Sequence, residues 1–192
     1  EGDELAGYRN HVHYPADATY LCGNSLGLQP KSIRDAVLND LDRWAQFGVE
    51  GHFVEEEPST PWWTIEDLPV NDLVEIVGAK DDSEIAVMNS LSVNLHLLLA
   101  AFYRPEKSRF KIGIEASAFP SDEYVVQSVV SRYGYDPEQA IVRIQAQTDA
   151  EMADAIHDIG NELALILIAP LQYLTGIFYN IYSIVSAGHS VG

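Results

Sequence analysis

From residue 110 to residue 189 the chain alternates short apolar runs with longer stretches of helical period. No other feature restricts the fold as much. Residues 110–115, 140–144 and 164–168 read as strands, and the last is wholly apolar, as a strand covered on both faces has to be. Residues 121–133, 150–159 and 181–189 read as helices; Tyr124, Val125, Val129 and Val130 share one face of the first. Strands alternating with helices predict an α/β domain with a mainly parallel sheet flanked by helices. In such sheets ligands bind beyond the carboxyl ends of the strands. Attention therefore falls on the segments after the apolar runs.

The first of these segments lies in Glu84-Ile-Ala-Val-Met-Asn-Ser-Leu-Ser-Val-Asn-Leu-His-Leu-Leu-Leu-Ala-Ala-Phe102. Ile85 to Met88 reads as a short buried strand, and the apolar run after Ser92 is too long for one. Asn89, Ser90 and Ser92 gather at the predicted helix start, where Asn and Ser side chains cap the first N–H groups. Such a terminus also attracts anions, phosphate above all. The second segment, 116–122, offers Phe119 and Asp122; the third, 169–176, offers Tyr173, Thr175 and Gly176. A phosphate cradle beside an aromatic ring suits a flat phosphorylated cofactor.

Upstream, Tyr20-Leu21-Cys22 reads as a short strand entering Gly23-Asn24-Ser25-Leu26-Gly27, a match to the G-x-S-x-G elbow of serine hydrolases. The elbow needs a helix directly after its Ser and an oxyanion loop from an earlier strand. Here Leu28-Gln29-Pro30 intervene, and only some twenty residues precede Ser25. A glycine-flanked loop open to close approach fits better. Residues 32–46 form a predicted helix with Ser32 and Asp35 as a capping pair. A loop over 48–60 carries His52, which has no local partner in sequence, and the acidic run Glu55-Glu56-Glu57. A helix over 64–77 is expected to break or kink at Pro69 and to stop at Gly78. His11 and His13 lack acidic or Cys/His partners at ligand spacing and read as surface.

The formal net charge of −18, from 29 acidic and 11 basic residues, argues against a nucleic-acid partner. A single cysteine, Cys22, leaves no internal disulfide. No membrane partner is expected, because the run 95–101 is too short to span a bilayer. With no visible signal peptide, a cytoplasmic location is expected.

Four stretches resemble a known family: Tyr20-Leu-Cys-Gly-Asn-Ser-Leu-Gly-Leu-Gln-Pro30, Met88-Asn-Ser-Leu-Ser-Val-Asn-Leu-His-Leu-Leu98, Glu115-Ala-Ser-Ala-Phe-Pro-Ser-Asp122 and Tyr173-Leu-Thr-Gly176. The family is kynureninase, a pyridoxal-phosphate enzyme of the aspartate-aminotransferase fold, and the four occur in its order. The resemblance implies a partial large domain: 1–60 as N-terminal segment and helix, 61–192 as the first part of the cofactor-binding domain. It implies that Leu91 and Ser92 take the cofactor phosphate, Ser92 standing where relatives usually carry Thr. It places Phe119 on the pyridine ring, with Pro120, Ser121 and Asp122 completing that loop. Ala169 falls where some relatives have a cofactor-contacting Ser, and Ser25 and His52 fall in the substrate pocket, the His near the aryl ring.

The implied reaction is hydrolysis of L-kynurenine or its 3-hydroxy form to anthranilate or 3-hydroxyanthranilate and L-alanine, in a homodimer. The family's Schiff-base lysine has no counterpart here; Lys31, Lys80, Lys107 and Lys111 are the only lysines, none in a Tyr-Lys turn. The chain therefore reads as an N-terminal fragment, inactive alone. A desulfurase-like lyase or aminotransferase using the same cofactor, a phosphate-binding module without chemistry, and a serine hydrolase acting through Ser25 are the alternatives.

Overall fold

The structure, a computed structural model, describes residues 2–55 and 60–192. It comprises two units, Glu1–Val87 and Met88–Gly192.

In the first unit α1 (Ile33–Phe47) forms where the apolar period predicts it, but without the expected Ser32–Asp35 cap. Ser32 already has helical backbone angles, and a capping residue needs an extended one to turn its side chain onto the following N–H groups. The helix predicted over 64–77 splits into a 3₁₀ segment, Trp62–Asp67, and α2 (Val70–Val77), with Pro69 at the junction. Proline has no N–H to continue the helical ladder. Gly78 takes the left-handed conformation (φ 70°) that closes α2. Glu56 and Glu57 of the acidic run lie outside the described residues.

The strands expected at 20–22 and 85–88 do not form. Ile85 is extended, with φ −106° and ψ 127°. Among the described residues, however, neither segment has a ladder partner. A strand is a property of a pair, and an apolar run cannot supply its own neighbour.

The second unit holds the predicted α/β pattern. It opens with α3 (Leu91–Phe102), followed by β1 (Lys111–Glu115), α4 (Pro120–Arg132), a short α5 (Pro137–Ala140), β2 (Ile141–Ile144), α6 (Asp149–Ile159), β3 (Leu163–Leu167) and α7 (Ile181–Ser190). All three strands are parallel, in the order β2-β1-β3, so β1 is the middle one. Side chains alternate across a strand. Ile112 and Ile114 of β1 enter one core with Leu95 and Leu99 of α3 and the valines of α4. Ile144 and Leu163 enter a second core with Met152 and Ile156 of α6 and Ile184 and Ala187 of α7. The sheet is thus sandwiched, α3 and α4 on one face and α6 and α7 on the other.

Gly113, between the two isoleucines, faces the second core. A Cβ there would lie 3.2 Å from Leu163 Cδ1 and 3.4 Å from Ile144 Cδ1. Gly113→Val should therefore overpack the sheet and destabilise it by about 1–3 kcal/mol, read as a lowered urea midpoint. An unchanged midpoint would mean that this face has slack.

Candidate cofactor site

A cavity of about 120 Å³ lies at the carboxyl ends of β1 and β3. Leu91 of α3, Asp122 of α4 and Ala169 after β3 all line it, together with Glu115, the last residue of β1. Three segments far apart in sequence meet there: two follow the parallel strands β1 and β3, which point the same way, and the third is the start of α3, which packs on β1. Ser92 follows Leu91 on α3 and is half-buried; Phe119, Pro120 and Ser121 lead into or begin α4.

The start of α3 is not capped as expected. Ser90 sits at the N-cap with extended angles, yet its side chain accepts no helix N–H. Asn89 takes a left-handed conformation (φ 49°), which Asn tolerates better than most residues. Its Nδ2 donates to Asn94 Oδ1 (3.1 Å), and Asn94 Nδ2 donates to the Met88 carbonyl (2.9 Å). The amides brace the turn instead of capping the helix. A helix start whose N-cap side chain leaves the first N–H groups alone suits an external anion.

Phe119 is the residue before α4, and its carbonyl accepts from the N–H groups of Asp122 (2.9 Å) and Glu123 (3.2 Å). Pro120 at the first helical position pre-sets the turn. The Phe119 ring is half-exposed and meets Tyr173 edge-on, with centroids 5.1 Å apart and planes at 68°. The aromatic expected from the second segment and the one offered by the third therefore touch.

Two buried polar residues here are absent from the sequence-based site. Gln172, 3% exposed, hydrogen-bonds within its own loop and to Ser117. Glu115, 5% exposed, accepts the Ala169 N–H at 3.4 Å. Both stand inside stretches that resemble the family or touch one, but neither motif nor periodicity marks a polar side chain for burial. A Glu closing an otherwise apolar strand was the one available signal.

Three carboxyl groups line a cavity proposed for an anion, so their charge state matters. Glu123 is paired with Arg143, Nε to Oε1 at 2.9 Å. Burial raises the Glu115 carboxyl above its ordinary range, and the charge of Asp122 adds to this against the N–H bonds from its own backbone and Ala169. Asp122 accepts from the Ser121 hydroxyl at 3.3 Å. The Arg143 guanidinium thus offsets the charge of Glu123, while burial disfavours the charged form of Glu115.

The first unit holds Ser25 and His52. Ser25 lies in a turn, its N–H donating to the Cys22 carbonyl (2.9 Å), and α1 starts only at Ile33. No strand-to-helix elbow exists, and among the described residues no hydrogen bond links Ser25 to His52. His52 does have local partners, contrary to the sequence reading: Nδ1 is 2.9 Å from the Val49 carbonyl oxygen, and the ring meets Trp62 edge-on at 5.6 Å. Trp62 in turn donates to Asp40 (3.3 Å) and lies beside the buried Arg43 guanidinium, which donates to the Thr60 carbonyl (3.0 Å). Gly51 has no room for a side chain, since a Cβ would fall 2.6 Å from the Trp62 ring. His52 is held by a built cluster.

Among the curated relatives that the chain matches are enzymes named kynureninase: that of Flavobacterium psychrophilum is 44% identical, that of Flavobacterium johnsoniae 46%, and that of Mus musculus 36%. The alignments cover 99–100% of this chain and 45–46% of those proteins. The chain thus spans about half the length of the curated relatives it matches, and its similarity to kynureninases runs along nearly its whole length. No family model matches it.

Because the folded chain holds the Glu115 proton more tightly than the unfolded chain, its contribution is fully present below the ordinary value of 4.5. It is lost as pH rises through the raised value. Glu115→Gln removes that loss. The thermal midpoint of the variant relative to the parent should rise between about pH 4 and pH 7. A pH-independent difference would show that the carboxyl is not desolvated.

Proposed function

We propose that this chain is part of a kynureninase and that the cavity at the ends of β1 and β3 holds pyridoxal 5′-phosphate. One observation carries the reading: Leu91, Asp122 and Ala169, from three segments, converge on one cavity in a chain 44% identical to a kynureninase over 99% of its length. When bound, the cofactor supplies the electron sink for cleavage of L-kynurenine, or its 3-hydroxy form, to an anthranilate and L-alanine. The chain's own residues bind and orient. The N–H groups at the start of α3, with Leu91 and the Ser92 hydroxyl, hold the phosphate. Phe119 packs on the ring, with Pro120, Ser121 and Asp122 shaping the loop beneath it. Ala169 offers only its backbone and small side chain at a position where a hydroxyl would add a contact. Ser25 and His52 line the substrate pocket, the His beside the aryl ring.

The lysine that carries the cofactor comes from the rest of the enzyme. Lys111 starts β1, about 13 Å along the strand from Glu115, and pairs with Glu162 at 2.8 Å. Lys107 lies before β1, in the turn whose ends, Glu106 and Arg109, bridge. Both stand toward the wrong end of the sheet. The complete protein is a cytoplasmic homodimer in this reading.

The intact protein, loaded with pyridoxal 5′-phosphate, should release alanine and a fluorescent anthranilate from kynurenine; no turnover would sink the proposal. Ser92→Ala in that protein should weaken cofactor retention about tenfold. Unchanged affinity would remove Ser92 from the cradle. With the 192-residue chain alone, borohydride in the presence of pyridoxal 5′-phosphate should leave no stoichiometric pyridoxyl group on any of its four lysines.

A further inference from the structure

Gln172 sits at the neck of the excursion after β3. Its N–H donates to the Ile177 carbonyl (2.9 Å), and its carbonyl accepts from Gly176 N–H (2.9 Å). The side chain does more. Its Oε1 accepts from the N–H groups of Leu174 (2.6 Å) and Thr175 (2.9 Å) and from the Thr175 hydroxyl (3.3 Å). Its Nε2 donates to the carbonyl of Ser117 at 2.9 Å, across 55 residues. The donors on one side and the carbonyl on the other leave one orientation of the amide.

Ser117 is itself unusual, a non-glycine residue in the left-handed region (φ 60°). Such a conformation persists when neighbouring structure holds it. Two residues on stands Phe119; next to Gln172 stands Tyr173; their rings meet edge-on. A second tie joins the same two loops, the Ala169 N–H to Glu115 bond. The buried Gln172 amide, with the Glu115 carboxyl, therefore ties the loop carrying Phe119 to the loop carrying Tyr173.

We propose that Gln172 is a positioning residue for the cofactor site, locking the 116–122 loop to the 169–177 loop so that Phe119 presents its face to the ring. The role rests on the reading of this cavity as a pyridoxal-phosphate site. It makes a sharp distinction between two substitutions. Gln172→Leu removes every side-chain bond. Gln172→Glu keeps the shape and, ionised, still accepts from Leu174 and Thr175, but it cannot donate to Ser117 and sets a carboxylate against that carbonyl. Protonated, the same side chain regains a donor.

Among the described residues, the titratable groups near position 172 include Tyr173 and Tyr179 from its own segment and Glu115 at the end of β1, with Asp149 and Glu151 of α6 acting on Tyr179. The cavity of about 110 Å³ beside it is lined by Tyr179, Ser117, Gln145, Gln147, Thr175 and apolar groups. Among the described residues none of those lining it is a cation; burial and the Ser117 carbonyl oppose the ionised carboxylate introduced by Gln172→Glu, against the donors of Leu174 and Thr175.

The test measures the dissociation constant of pyridoxal 5′-phosphate for the intact protein and both variants at about pH 8 and about pH 5.5. Each variant is compared with the parent at the same pH. Gln172→Leu should bind about tenfold more weakly at both. Gln172→Glu should show that loss at the higher pH and recover to within about twofold at the lower. Gln172→Glu alone, read at the two pH values, suffices if the Leu variant does not fold. Parent-like affinity of the Glu variant at the higher pH, or a deficit that ignores pH, overturns the positioning role and leaves the site reading intact. A parent that binds no pyridoxal 5′-phosphate overturns both.

Discussion

The arrangement of the second unit depends on β1 being the middle strand of three parallel ones. A parallel neighbour cannot be reached by a tight turn, so each connection crosses a face of the sheet and deposits a helix there. Ile112 and Ile114 then point into one helical layer and Gly113 into the other. The lack of a side chain at Gly113 lets Leu163 and Ile144 close over it. Once β1 is clamped on both faces and both edges, its last residue, Glu115, has a fixed address beneath the loops that follow the strands.

That address explains the polar chemistry of the cavity. Glu115 and Gln172 are buried where the sheet's ladder ends and the loops begin, and each joins the β1 side to the β3 side through a backbone group. Buried polar groups of this kind are costly unless satisfied, and both here are hydrogen-bonded. The loops that bear Phe119 and Tyr173 are consequently tied to the frame by two buried polar side chains.

The first unit is organised differently. Among its described residues Arg43 is charged and buried; its guanidinium gathers Asp40, Thr60 and Val54 and lies beside Trp62. His52 owes its orientation to that cluster through Trp62. The apolar stripe of α1, with Val37, Leu41 and Trp44, stays half or more exposed. The helix therefore forms from local pattern, while the cover for its apolar face is not a local matter.

Much of the second unit was legible in the sequence, since alternation of periods is a local property. The three strands and their helices fall within one or two residues of the expected places, and in the first unit Pro69 breaks its helix and Gly78 ends α2. Two of the segments singled out, 116–122 and 169–176, do follow parallel strands and meet at one end of the sheet, whereas the first follows no strand, because 85–88 forms none. What failed were claims about partners: the strands at 20–22 and 85–88, the Ser32 cap, the capping by Asn89 and Ser90, the isolation of His52. Each depends on what stands opposite, and sequence separation hides that. The residues of the chain by themselves determined the α/β alternation and the candidate loops. Only the tertiary structure decided that Gln172 reaches Ser117 and Glu115 reaches Ala169, because a buried hydrogen bond is chosen by proximity in space, which no local pattern encodes.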